Sequence, residues 1–136
     1  MLKDTLNWYS RKMQQTSPTR MKHHDRTFIL DLIAKHKLRV GAEIGVASGG
    51  FSEQMYAKIP GLQLTCVDTW AEGEDLQSRT VGNDRAEVRY QNAKERLEPL
   101  GATLMRMKSM EAVKQIPLES LDFVYIDACH DFDYAM

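Results

Sequence analysis

Three groups of residues in this sequence have the types and spacing to do chemistry. The first is Glu43-Ile-Gly45-Val-Ala47-Ser48-Gly49-Gly50. Glycines let a backbone come close to a ligand, and a helix starting there offers N–H groups with no intrahelical partner. The same composition also serves a plain tight turn. The second is Asp68, 23 residues after Gly45. A carboxylate at a strand end can accept both hydroxyls of a nucleoside ribose, or close an Asx turn. The third is Asp127-Ala-Cys-His130-Asp131-Phe-Asp133-Tyr134. Its three carboxylates and imidazole can bind a hard metal or move a proton, and can equally cap a following helix.

These groups act together only if the chain brings them to one place. Arg39–Gly45 reads as a strand entering the glycine turn, Phe51–Lys58 as a helix stopped by Pro60-Gly61, and Leu62–Asp68 as a buried strand. Residues 69–83 are polar and read as a long, functional loop. Ala86, Tyr90, Ala93, Leu97 and Leu100 recur at helical spacing, which predicts a helix over Asp84–Leu100 with Asp84 as N-cap and Gly101 past its end. Ala102–Met107 is the third expected strand, Met110–Gln115 a short helix, and Leu121–Asp127 the fourth strand. Upstream, Leu2, Leu6, Tyr9 and Met13 predict one amphipathic helix. A second runs from about Thr19 or Asp25 to Lys37, with Phe28, Ile29, Leu32 and Ile33 inward. Strands alternating with helices imply an α/β fold with a parallel sheet and right-handed crossovers. Such sheets bind ligands at the carboxyl ends of their strands, where all three groups fall.

With 136 residues the chain is about one domain, and 43% apolar with 27% charged residues is ordinary for a globular protein. The net charge of −1 argues against a non-specific nucleic-acid binder. Residues 1–40 are nonetheless basic, with nine Lys/Arg against three Asp/Glu, and residues 41–136 acidic, with nine against sixteen. The basic segment suits either an anionic contact or a solvated pair of helices. No apolar run approaches the roughly 20 residues of a membrane span, and Met1-Leu2-Lys3-Asp4 leads into no secretory core, so no membrane is expected. Two cysteines, Cys66 and Cys129, both in or beside apolar segments, suit a reducing cytoplasm.

Together, the acidic residue before the glycine turn, Asp68 and the strand end Phe123-Val-Tyr-Ile-Asp127-Ala-Cys-His130 resemble class I S-adenosylmethionine-dependent methyltransferases. Within these they are most similar to small-molecule O-methyltransferases of the macrocin and caffeoyl-CoA types. The resemblance covers residues 38–136 and leaves 1–37 as amino-terminal helices. It implies a Rossmann-like three-layer fold with strand order 3-2-1-4. Glu43, Gly45, Ala47, Ser48 and Gly49 would form the cofactor loop, and Asp68 would hold the ribose. Thr69, Trp70, Lys108 and Ser109 would border the adenine. Asp127 would face the sulfonium and the acceptor, and it resembles the first Mg2+ ligand of cation-dependent members. Either His130 as a base or a metal at Asp127 would assist an oxygen nucleophile on a small molecule or sugar.

The sequence departs from the family pattern in three respects. Ala47 stands where many members have glycine, which suits it if its φ is negative. Lys108 stands where many have an aspartate. The family fold has seven strands, and four are read here, so the chain is expected to be the cofactor-binding half. Its fourth strand would then be an open edge, which favours a homo-oligomer or a complementary chain. Two other readings stay open. Gly45-x-Ala47-x-x-Gly50 with Asp68 partly mimics a nicotinamide-dinucleotide fingerprint, and a non-catalytic binding module would need no acceptor pocket.

Overall fold

Short aliphatic runs bounded by turns set the sheet, and apolar residues at helical spacing set what covers it. The computed structural model describes residues 26–71 and 84–128. Their elements are α1 (Thr27–Lys35), β1 (Val40–Ile44), α2 (Gly50–Lys58), β2 (Gln63–Asp68), α3 (Asp84–Leu97), β3 (Thr103–Arg106), α4 (Ser109–Ala112) and β4 (Phe123–Ile126). All strand pairs are parallel, as the alternation of elements predicts, and the order is β3-β2-β1-β4, as the resemblance implies. The sequence-derived helix over 2–13, most of the 69–83 loop, and His130 lie outside the described residues.

One core joins α1, α2 and α3 to the sheet. Leu64 and Cys66 of β2 pack with Met55, Ile59, Ala93 and Leu97, and Leu30 and Ile33 of α1 join the same cluster. Met55, Ile59 and Leu97 are almost wholly removed from water, which stabilises the fold by roughly 1.5–3 kcal/mol for each such side chain. Gly41 is fixed by its neighbour across the ladder. The Phe123 ring lies against it, so that a Cβ would come within 2.2 Å of the ring. Just before β4, Asp122 accepts the backbone N–H groups of Arg39 and Val40 at 2.9 and 3.0 Å. Those bonds hold its carboxyl below the usual range and lock the start of β4 to β1.

Two packing expectations shift. In α1, Leu30 is buried with Ile33, whereas Phe28 and Leu32 are only half-buried, so the inward stripe is rotated from the expected one. In α3 the α-helix stops at Leu97. Pro99 tightens the next residues into a 3-10 turn, Glu98–Leu100, that swings Leu100 out to solvent. Gly101 closes that turn at φ 89°, the left-handed position expected past a helix end. Among the described residues, no helix is long and apolar enough to cross a membrane.

Candidate functional site

The carboxyl ends of β1, β2 and β4 converge, and each of the three sequence groups contributes to that point. β1 runs into the glycine turn. The Val46 and Ala47 N–H groups both donate to Asp68 Oδ2 at 2.9 Å, and Trp70 N–H donates to Asp68 Oδ1 at 2.9 Å. Trp70 Nε1–H donates to the Ala47 carbonyl at 2.7 Å. Asp68 and Trp70 thus tie the exit of β2 to the exit of β1. The exit of β3 joins them through Met107 N–H, which donates to the Asp68 carbonyl at 3.1 Å.

Gly45 has φ 92°, and a Cβ there would lie 2.3 Å from the Asp127 carbonyl oxygen. The glycine therefore admits the end of β4, whose Asp127 N–H donates to Ile44 O at 2.8 Å. Gly49, at φ 81°, is the N-cap of α2 and faces Leu97. Ala47 departs from expectation. Its φ is 52° rather than negative, a left-handed conformation that costs an L-residue about 1 kcal/mol. The bonds at its N–H and carbonyl hold it there. Ser48 is half-buried in the same turn.

Beneath the turn, Glu43 is 2% exposed. The Ser52 hydroxyl, on α2, donates to its Oε2, and Cys66 Sγ lies 3.9 Å from the same hydroxyl. Burial pushes the Glu43 carboxyl up to about 7, against the Ser52 hydrogen bond; Asp127 adds to the rise and Arg26 opposes it. Burial likewise pushes the Cys66 thiol up to about 12, which leaves it an inert core group. Asp127 is partly exposed, and its Oδ2 accepts an ion-pair contact from Arg26 Nη1 at 2.8 Å. The Arg26 guanidinium lies 5.4 Å from the centre of the Phe51 ring, which in turn packs on Tyr125 at 4.7 Å.

Arg26, Ser52 and Phe51 are the members that sequence reasoning missed. Arg26 is about a hundred positions from Asp127, and no spacing rule connects them. Ser52 falls nine residues after Glu43 on a helix, where a serine is unremarked until the helix is docked.

The adenine-side residues divide. Thr69 is exposed at the end of β2, and its Oγ1 accepts Ala71 N–H at 3.4 Å. Trp70 is 3% exposed, with its ring in the core against Tyr90 at 4.9 Å. Its backbone carbonyl accepts Arg106 Nη2–H at 3.1 Å. Its indole thus braces the turn rather than walling an open surface. Lys108 is exposed and Ser109 half-buried at the start of α4, one residue beyond the Met107–Asp68 contact.

Among the described residues, no three His, Cys, Asp or Glu side chains converge where a metal could sit. The Arg26 guanidinium pairs with Asp127, the residue expected to take Mg2+. An open depression of about 260 Å3 lies at the opposite, amino ends of the strands, between Val40, Gln63, Thr65, Gly101 and Thr103.

This strand order, glycine turn and carboxylate set define a methyltransferase-type α/β domain. The methyltransferase-domain family matches residues 42–136, and the chain belongs to that family. Membership sets aside the dinucleotide-dehydrogenase alternative. A search of the curated proteins gives no match. Among solved structures, the chain is similar to the O-methyltransferase from Bacillus cereus in complex with SAH, at 15% identity and a TM-score of 0.53, covering 93% of this chain and 53% of that one. It is also similar to a Klebsiella pneumoniae protein provisionally assigned as an O-methyltransferase, at 19% identity and a TM-score of 0.55, covering 93% and 52%. At these identities the likeness is one of fold. The chain spans about half the length of both structures.

Proposed function

We propose that this chain carries the cofactor-binding half of an S-adenosylmethionine-dependent methyltransferase that acts on an oxygen of a small molecule or sugar. The observation that carries the reading is Asp68, a carboxylate at the end of β2 bonded to the backbone of the glycine turn at the end of β1. The donor set fits the cofactor's chemistry. S-adenosylmethionine carries an ammonium and a sulfonium, and among the described residues the carboxylates of Asp68 and Asp127 stand at this end of the sheet, Asp127 paired with Arg26. When bound, the cofactor supplies an electrophilic methyl group on sulfur. The protein's share is positioning and electrostatics.

In this reading Asp68 takes the ribose. Three of its acceptor positions hold backbone N–H groups, so one hydroxyl uses the remaining position and a second exchanges with a backbone donor. The N-terminus of α2 faces the amino-acid end, where its partial positive charge favours a carboxylate. Asp127 faces the sulfonium, and His130 follows it as the candidate base for the acceptor hydroxyl. The adenine rests by Thr69, Lys108 and Ser109 and on the Trp70 backbone. The bound B. cereus relative supports the cofactor assignment.

Calorimetric titration tests the reading: S-adenosylmethionine and S-adenosylhomocysteine bind, and NAD does not. Silence with all three points to a non-catalytic module. Asp68→Ala is expected to weaken S-adenosylhomocysteine by roughly 1.5–3 kcal/mol, the worth of a charge-assisted bond. Unchanged affinity in that variant removes Asp68 from the site.

Association through β4 belongs to the same reading. Among the described residues β4 pairs only with β1, and its Val124 and Ile126 are exposed. Open apolar edges template pairing with another chain. Light scattering on the purified chain is expected to show a dimer or larger species, and a stable monomer contradicts it.

A further inference from the structure

We propose that Arg26 is a specificity-determining residue of this site: its guanidinium is a built-in positive charge over Asp127 that disfavours a ligand cationic at sulfur relative to one neutral there. The inference rests on the reading of the site as an S-adenosylmethionine site. It concerns a residue outside the stretch that matches the family, residues 42–136.

The geometry is specific. Arg26 directly precedes α1, and α1 is anchored by Leu30 and Ile33 in the core and by a 3.0 Å ion pair between Asp31 and Lys58 of α2. From that anchor Arg26 reaches the Asp127 carboxylate at 2.8 Å while lying over Phe51, the second residue of α2. It thereby bridges the helix that follows the glycine turn and the strand end that crosses Gly45. Glu43 beneath feels the same guanidinium. A sulfonium brought to Asp127 meets a carboxylate already neutralised, and a like charge beside it. A thioether meets neither penalty. The Arg26 and Asp127 side chains are 41% and 30% exposed, so water and salt screen the effect to a moderate size.

The test is calorimetric titration of the full chain and of Arg26→Gln and Arg26→Lys with S-adenosylmethionine and with S-adenosylhomocysteine. The partial exposure of Arg26 leaves the fold of both variants intact, which melting curves check. In Arg26→Gln, S-adenosylmethionine is expected to tighten roughly fivefold, with S-adenosylhomocysteine unchanged within about twofold. Arg26→Lys keeps the charge and the wild-type ratio. Equal weakening of both ligands in Arg26→Gln means that Arg26 holds a group common to the two, and it overturns the inference. An unmoved ratio overturns it as well, as does a lysine variant that behaves like the glutamine one. If the wild-type chain binds neither ligand, the functional reading falls and the inference with it.

Discussion

Gly45→Ala is expected to cost more than about 3 kcal/mol of stability, the range of severe core damage. Two effects add. The residue sits at φ 92°, where an L-side chain meets its own backbone, a strain of roughly 1–2 kcal/mol. The new methyl would also lie 2.3 Å from the Asp127 carbonyl oxygen and 2.8 Å from Ala128 Cα. Neither neighbour is a flexible side chain that can turn away. β4 must retreat, and with it the Asp127 N–H bond to Ile44 O. Gly101→Ala supplies the control. Its φ is 89°, nearly the same, but nothing stands within 4 Å of the new Cβ. That variant suffers only the conformational strain, less a small gain from a stiffer unfolded chain. Urea unfolding of both variants reads the difference. Equal losses would mean that β4 yields freely, and that Gly45 is a turn residue and nothing more.

Gly45 also illustrates what the sequence could and could not say. The order 3-2-1-4 is what the family resemblance implies. A glycine between a strand and a helix announces a turn with a special backbone, and the alternation of strands and helices announces a parallel sheet. Both follow from local sterics and chain connectivity, which a single sequence exposes. The reason for the glycine lies in β4, 82 positions away, and no local rule reaches it. The same limit explains Ala47 and Trp70. An alanine in a turn reads as negative φ, and only its two hydrogen bonds to the β2 exit overrule that preference. Trp70 was expected beside the adenine, and its packing on Tyr90 and its bond to Ala47, which make it a brace, have no local signal. Arg26 was invisible because an ion pair across the fold has no periodicity. Asp68 and Asp127, by contrast, were legible as strand-end carboxylates. Strand ends are fixed by the apolar run before them, and the carboxyl ends of a parallel sheet share one edge.

Glu43 is expected to make the fold less stable as the pH rises from about 4.5 to about 7. Its carboxyl titrates near 4.5 in an unfolded chain and near 7 in the fold, chiefly because burial disfavours the charge. Between those values the folded state holds a proton that the unfolded state has lost, so rising pH favours unfolding. Below the unfolded value the group is neutral in both states and exerts no cost. Above the folded value it is ionised in both, and the full penalty stands at about 3 kcal/mol. Glu43→Gln keeps the shape and the partnership with Ser52 but cannot ionise. The variant should match the wild type near pH 4.5, exceed it progressively to pH 7, and hold a constant lead above that. Urea midpoints across this range, taken as the difference between the two proteins, cancel the titration of every other group. The Arg26 guanidinium opposes the rise at Glu43 while Asp127 adds to it. Arg26→Gln should therefore push the upper end of the window to higher pH and enlarge the loss, and adding Glu43→Gln to that variant should abolish it. A flat difference between wild type and Glu43→Gln would mean that the carboxyl reaches solvent beneath the glycine turn.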